Sequence, residues 1–273
     1  MPEGPEVKVI VNQLNTLIKG KVLIDFIIHS GRYSKKKPDN FDNFIKVMKD
    51  NGKINGVFCK GKFIWFELDN GWYIFNTLGM SGGWKVEKQQ KNFHWQLKFK
   101  NLKDIWFTDI RNFGTLKFTN NKEDLDKKLK DLGVDIFTKD FTYDNFEKII
   151  KSKRVSEKTL PEVLMNQKKI SGIGNYLKSE ILYASKISPY RLIKDLADNE
   201  IKILYDNVKK ISIDSYKRGG ASPREYSNVY DVDGKYTQLL KVYNQKKDPL
   251  GNTVKREETK DKRTTHWIPS IQK

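Results

Sequence analysis

The second residue of the chain is proline, in the run Met1-Pro2-Glu3-Gly4-Pro5-Glu6. An initiator methionine is normally removed when a small residue follows, which makes Pro2 the mature N-terminus. Its nitrogen is then a free secondary amine on a rigid ring, beside the carboxylate of Glu3. Such an amine attacks an electrophilic carbon and forms a Schiff base. A secondary amine gives the charged iminium directly, and its ordinary pKa leaves a useful neutral fraction near neutral pH. A Met-Pro start is also common with no chemistry attached, so the pair takes its meaning from the rest of the chain.

Three further segments could do chemistry. Lys62, in Lys60-Gly61-Lys62-Phe63, precedes alternating apolar residues. That suits a cation at a strand end facing a cleft, and equally a solvated surface lysine. Leu78-Gly79-Met80-Ser81-Gly82 and Asp109-Ile110-Arg111-Asn112-Phe113-Gly114 are glycine-bounded turns after strands. Each presents large side chains at its tip: Met80, Arg111 and Phe113. Met and Phe there are core packing on one reading and a wedge into a base stack on the other. On the second reading Arg111 fills the gap left by an extruded base. In Met165–Tyr176, Gly172 and Gly174 allow a tight turn at the start of a helix carrying Asn175. The exposed amides and dipole of a helix N-terminus favour phosphate, and Lys168 adds charge. An ordinary helical hairpin has the same outline.

These groups need elements to hold them. Val7, Ile10, Val11, Leu14, Leu17 and Ile18 recur at helical spacing between Gly4-Pro5 and Gly20, so a helix anchors the N-terminus. Short strands follow: Val22–His29, Lys62–Leu68, Trp72–Thr77, Trp95–Phe99, Ile105–Asp109 and Thr115–Thr119. Asp69-Asn70-Gly71 is a turn between two of them. Such spacing reads as a β-sandwich or barrel. The charged stretch Lys122–Phe137 marks a boundary, after which helical spacing dominates at 146–150, 161–165, 176–185 and 201–216. Thr253–Thr259 and Arg263–Ile268 read as two strands joined at Lys260-Asp261-Lys262. The class is α+β. The segments are 1–133 as a β-sandwich catalytic domain, 134–241 as a helical domain and 242–273 as a β-hairpin.

Lys and Arg number 52 against 34 Asp and Glu in 273 residues, a formal net charge of +18 spread along the whole chain. That is more than solubility needs and points to a folded polyanion binder, most often of nucleic acid. No amphipathic basic helix, lipidation signal, signal peptide or spanning apolar run directs the chain to a membrane. An intracellular protein found with DNA (nucleus, nucleoid or viral replication site) is the expectation. Cys59 is alone, and His29, His94 and His266 are scattered, so neither a disulfide nor a Cys-rich zinc site can form.

The chain resembles the Fpg/Nei DNA glycosylases, which carry a helix–two-turn–helix motif. The matching residues are Pro2-Glu3 with Pro5-Glu6, Gly61-Lys62-Phe63, Leu78–Gly82, Arg111, Phe113-Gly114, Gly172–Asn175 and Arg263, in the family's order along nearly the whole chain. The resemblance implies an N-terminal β-sandwich with flanking helices, then a helical domain ending in a β-hairpin finger. It implies a bifunctional glycosylase and abasic-site lyase of base excision repair. Pro2 would be the nucleophile and Glu3 the acid–base. Lys62 would lie near the phosphate, Arg263 would act in the second elimination, and Met80, Arg111, Phe113, Lys168 and Asn175 would bind DNA. Most bacterial members hold the finger with four cysteines around zinc. Here Leu250, Thr253, Ile268 and Ile271 fall at those places, so the chain resembles the zincless-finger, Nei-like branch, with apolar packing in place of metal and no cofactor. The stretch Asp231–Tyr236 reads as a shortened lesion-capping loop. The expected lesions are therefore oxidised pyrimidines, hydantoins and ring-opened purines, and the expected partner is damaged DNA bound by a monomer. A relative that binds damage without cutting it, a basic RNA-binding protein and a lyase limited to the first elimination are the alternatives.

Overall fold

The computed structural model describes residues 2–48, 52–222 and 226–273. They divide into two compact units, one of residues 1–130 with 219–234, the other of 131–218 with 235–273. Residues 219–234 therefore cluster with the first unit, away from the helical segment in which sequence analysis put them.

In the first unit α1 (Gly4–Ile18) is followed by β1 (Leu23–Ile28), α2 (Phe41–Met48), β2 (Ile54–Lys60) and β3 (Phe63–Leu68). Then come β4 (Tyr73–Thr77), β5 (Gly82–Lys85), β6 (Phe93–Phe99), β7 (Ile105–Asp109), β8 (Thr115–Thr119) and α3 (Lys122–Asp131). The strands form two four-stranded sheets, ordered β1-β6-β7-β5 and β2-β3-β4-β8, each antiparallel throughout. Their inner faces share one core: Phe26, Trp84, Trp95 and Phe107 from the first sheet, and Ile64, Phe66, Ile74 and Phe118 from the second. Val7, Ile10, Leu14 and Ile18 of α1 join that core, each 1% exposed or less. Burial on this scale contributes about 1.5–3 kcal/mol per side chain, so α1 is a fixed platform. Its C-terminal Gly20 has φ +78°, and its N–H reaches Ile54 O at 2.7 Å.

The turn at Asp69-Asn70-Gly71 joins β3 to β4 as expected, with Gly71 at φ +80°. Two strands and two helices were not anticipated, one of the helices being α3, in the charged stretch read only as a boundary. β2 is interrupted by Asn55 and Gly56, and β5 is short and begins on two glycines, so neither has the usual strand composition. α2 is short but strongly two-faced, burying Phe41, Phe44 and Met48.

The second unit holds β9 (Val134–Asp135), α4 (Tyr143–Ile150), α5 (Leu160–Leu164), β10 (Ile170–Ser171), α6 (Asn175–Ser185), α7 (Asp198–Lys217), β11 (Lys255–Glu258) and β12 (Thr264–Trp267). β9 and β10 pair in parallel, and β11 and β12 form the antiparallel hairpin. α6 packs on α7 and on β12. Tyr176 and Ser215 share a buried hydrogen bond of 2.9 Å between those helices. No helix among the described residues is long and apolar enough to cross a membrane.

Candidate active site and nucleic-acid interface

Pro2 and Glu3 are buried at the start of α1, with Glu3 only 2% exposed. Glu3 is the N-cap, with Pro5 inside the first turn, where a missing N–H costs nothing. Glu6 is fully buried and uses both carboxylate oxygens. Oε2 accepts the Glu3 N–H at 2.7 Å, and Oε1 accepts the Ala221 N–H at 2.7 Å. Gly220, at φ +88°, lies so close that a Cβ there would meet Glu6 Cγ at 2.7 Å. The N-terminal peptide is thus tied to residues 219–234, a role for Glu6 that the motif alone did not reveal. Met1 lies outside the described residues.

That same segment is held again further along. Lys85, 6% exposed, donates to Asn228 O at 2.8 Å, to Asp231 Oδ1 at 3.0 Å and to both oxygens of Ser227. Burial lowers the Lys85 pKa, and the Asp231 carboxylate partly opposes this. The Val86 N–H reaches Val229 O at 3.0 Å, and Val229 joins the core. The connection from α7 runs from Arg218 to Lys235. The stretch Asp231–Tyr236, expected as a shortened capping loop, is the last part of that connection.

Lys62 occupies the two-residue turn with Gly61 between β2 and β3 and is half-buried. Gly61, at φ +57°, supplies the left-handed residue that such a hairpin requires. Cys59 is a partly buried thiol packed against the core.

Met80, Arg111 and Phe113 come together, and Asp109 is what joins them. Its carboxylate is 1% exposed. Oδ1 accepts the Ser81 hydroxyl at 2.5 Å and the Arg111 N–H at 3.2 Å, while Oδ2 accepts the Gly114 N–H at 2.7 Å. Ser81 Oγ also accepts the Arg111 N–H at 2.9 Å. Gly79, at φ +67°, lies against the other turn, where a Cβ would come within 2.8 Å of the Phe113 carbonyl carbon. Arg111 Nη1 lies 3.6 Å from Met80 Sδ. Phe113 is 54% exposed. A large ring held outward on a rigid turn is poor core packing and a good wedge. Arg32 braces the same turn, its N–H on Asn112 Oδ1 at 3.0 Å. Neither Asp109 nor Arg32 was singled out from the sequence. The acidic residue opening Asp109–Gly114 was the available signal for the first.

In the second unit, Gln167 organises the glycine turn. Its Oε1 accepts the Gly172 N–H at 3.0 Å, and its Nε2 donates to Ile173 O at 2.8 Å. Gly172 has φ +108°. Asn166 Oδ1 accepts the Lys168 N–H at 3.0 Å, leaving the Lys168 side chain exposed. Asn175 opens α6 and donates through Nδ2 to Thr264 O at 2.9 Å, which joins the helix start to the finger. Its Oδ1 is buried with no hydrogen-bond partner. Arg263 is exposed just before β12.

The finger's base carries one correction. Ile268 and Ile271 do pack, with Val242, Val254 and Tyr183, but Leu250 is 79% exposed and contributes nothing to that cluster. A carboxylate does that work. Asp248 Oδ1 accepts the N–H groups of Leu250 and Asn252 at 3.0 and 2.8 Å, and Oδ2 accepts the Tyr183 hydroxyl at 3.0 Å. No cluster of metal-ligating residues occurs among the described residues.

His266 is 4% exposed, with Nδ1 unpartnered, and lies between Arg256 across the hairpin and Lys178. Burial, then the two cations, lowers its pKa from 6.5 to about 4. The unfolded chain therefore binds this proton more tightly. Stability is complete above pH 6.5 and is lost as pH falls toward 4. The loss is expected to reach about 1–3 kcal/mol. Thermal melts of wild type and His266→Leu across that window check it: the variant's dependence should be flatter.

Comparison with known proteins bears on all three regions. The chain matches the family models for the formamidopyrimidine-DNA glycosylase N-terminal domain over residues 1–116, the H2TH domain over 132–226 and the C-terminal domain over 233–273. It is 31% identical to a formamidopyrimidine-DNA glycosylase of Listeria monocytogenes over the full length of both chains. It is 33% identical to that of a Wolbachia over 93% of each chain. Among solved structures, the Lactococcus lactis Fpg bound to abasic-site DNA superposes with a TM-score of 0.85, at 26% identity over 99% of both chains. The same protein with DNA containing an oxidised pyrimidine gives 0.83, at 26% identity over all of both.

Proposed function

The chain belongs to the formamidopyrimidine-DNA glycosylase family, and from that premise we propose that it is a bifunctional DNA glycosylase and abasic-site lyase of base excision repair. The observation that carries this reading is the buried Pro2–Glu3 peptide, fixed on α1 by Glu6. A protein that only bound DNA would have no use for a terminal amine held in this way.

In the proposed reaction the basic surface tracks phosphates, with Lys62, Lys168, Arg263 and the first-turn amides at Asn175 among the contacts. Affinity falls as salt rises, because bound counterions are released. Met80, Arg111 and Phe113 enter the stack as the damaged nucleotide turns out, at a cost reduced by its poor pairing. The Pro2 nitrogen attacks C1′ and the glycosidic bond breaks, its electron pair leaving with the base. Glu3 delivers a proton to the sugar ring oxygen as the ring opens, giving the iminium. The iminium acidifies C2′–H. Loss of that proton expels the 3′ phosphate, and a second elimination, assigned to Arg263, expels the 5′ phosphate. Hydrolysis frees Pro2.

The lesion range we propose is oxidised pyrimidines, hydantoins and ring-opened purines. What supports it is a finger whose places for zinc ligands hold Leu250, Thr253, Ile268 and Ile271, together with the stretch Asp231–Tyr236 read as a shortened capping loop. The protein acts as a monomer wherever the cell or virus keeps its DNA. With Asp248 and the Val242–Val254–Ile268 cluster holding the finger, chelation with EDTA is expected to change neither the melting temperature nor the cleavage rate.

Borohydride trapping on an oligonucleotide with one abasic site tests the reading. A covalent complex between protein and DNA is expected. Tight, salt-sensitive binding with no trapping, after verified methionine removal, would replace it with a non-catalytic damage binder.

A further inference from the structure

The tip of the finger is held quite differently from its base. Lys178, on α6, is 0% exposed, and its Nζ lies 2.7 Å from Asp261 Oδ2, with the Asp261 side chain 3% exposed. Asp261 belongs to the turn that joins β11 to β12. Its other oxygen accepts the Thr259 hydroxyl at 2.6 Å, and Thr259 Oγ1 lies 2.6 Å from Thr265 Oγ1 across the hairpin. The turn closes through Lys262 N–H to Thr259 O at 2.8 Å and Thr259 N–H to Arg263 O at 3.1 Å, with Lys262 at φ +57°. One carboxylate therefore bonds the helix through one oxygen and clamps the hairpin turn through the other. Arg263 leaves this turn two residues after Asp261, bonded through its own carbonyl.

Stability alone does not explain such a pair. Removing two charges from water costs several kcal/mol per ion, and an apolar contact of equal volume serves as well or better. The base of the finger already uses apolar contacts. An apolar contact tolerates sliding, whereas a short charged hydrogen bond fixes distance and direction. Two four-residue strands are marginal by themselves, so their tip wanders unless anchored.

We propose that the Lys178–Asp261 pair positions the Arg263 guanidinium for the second elimination. The pair touches no substrate; it acts through the turn. This rests on the assignment of Arg263 made above.

The test uses the double variant Lys178→Met/Asp261→Asn, which removes both charges and strands neither. The substrate is an abasic-site oligonucleotide, and the strand ends are resolved by gel. Borohydride trapping and the first elimination should match wild type. The ratio of doubly to singly eliminated ends should fall about ten-fold, the scale of a sub-ångström misplacement. Asp261→Glu, which keeps the charge on a longer arm, should recover part of that loss. An unchanged ratio overturns the inference. So does a parallel fall in trapping, both eliminations and melting temperature, which marks the pair as a stability element only. Arg263→Ala is run alongside. If it too leaves the ratio unchanged, the assignment of Arg263 is what fails.

Discussion

Protein that retains its initiator methionine is expected to form no borohydride-trapped complex with abasic-site DNA, while binding that DNA as tightly as the processed form. In the Met1-Pro2 peptide bond the proline nitrogen is a tertiary amide. Its lone pair is delocalised into the carbonyl, so it cannot attack C1′. Loss of a covalent nucleophile costs at least about 1000-fold in single-turnover cleavage. Phosphate contacts do not involve this nitrogen, so affinity and its salt slope should stand. Pro2→Gly is a milder change. It keeps a terminal amine, now primary, and loses the buried ring that orients it. Trapping should fall by about 10–100-fold and persist. Mass spectrometry confirms the N-terminus in each preparation. Trapping at wild-type rates with methionine in place would move the chemistry to a lysine and remove the basis for Pro2.

Glu180→Ala is expected to give the largest stability loss of any single change in the second unit. Glu180 lies on α6 and is 3% exposed. Its carboxylate accepts three consecutive backbone N–H groups, from Lys241, Val242 and Tyr243, at 3.0, 2.9 and 2.8 Å. Burial pushes this carboxyl above the usual range, and the three amides only partly oppose that rise. Alanine leaves buried donors unsatisfied where the chain enters the finger, a loss of about 3–5 kcal/mol. Chemical denaturation measures it. Hydrogen exchange should show protection lost first at residues 241–243 and in β12. Glu180→Gln, which keeps one acceptor oxygen, should fall between. A loss below about 1 kcal/mol would mean that other contacts hold the finger.

How much of this was legible depends on what each feature needs. α1 was readable because six apolar residues at helical spacing between a Pro and a Gly admit one interpretation. The turns at Gly79–Gly82 and Gly172–Gly174 were readable because glycines fall where the backbone must be left-handed or closely approached. Asp109 was not, because a buried carboxylate looks like any surface Asp until the amides and hydroxyl that surround it are known. Lys178 and Asp261 lie far apart in sequence, and each alone reads as solvated charge. Leu250 was misjudged for the opposite reason. Its type suggested a core position, yet the Asp248 turn turns it outward. The start of the connection after α7 was not legible because it is set by where α7 ends, and helix ends are the least legible boundaries in a sequence.

The first unit is built from two stretches of chain, residues 1–130 and 219–234, with the whole helical segment made between them. On the ribosome, Pro2, Glu6 and Lys85 are therefore outside the tunnel long before Ala221, Asn228 and Asp231 arrive. Until then the Glu6 carboxylate lacks its second donor, and Lys85 lacks the partners that hold it buried. Domains usually fold as they emerge, N-terminal first. Here the N-terminal sandwich can collapse early, but the surroundings of the Pro2–Glu3 peptide are finished only when a late segment returns to them. A nascent or truncated chain would carry the Pro2–Glu3 peptide without the Ala221 bond to Glu6 that completes its anchoring.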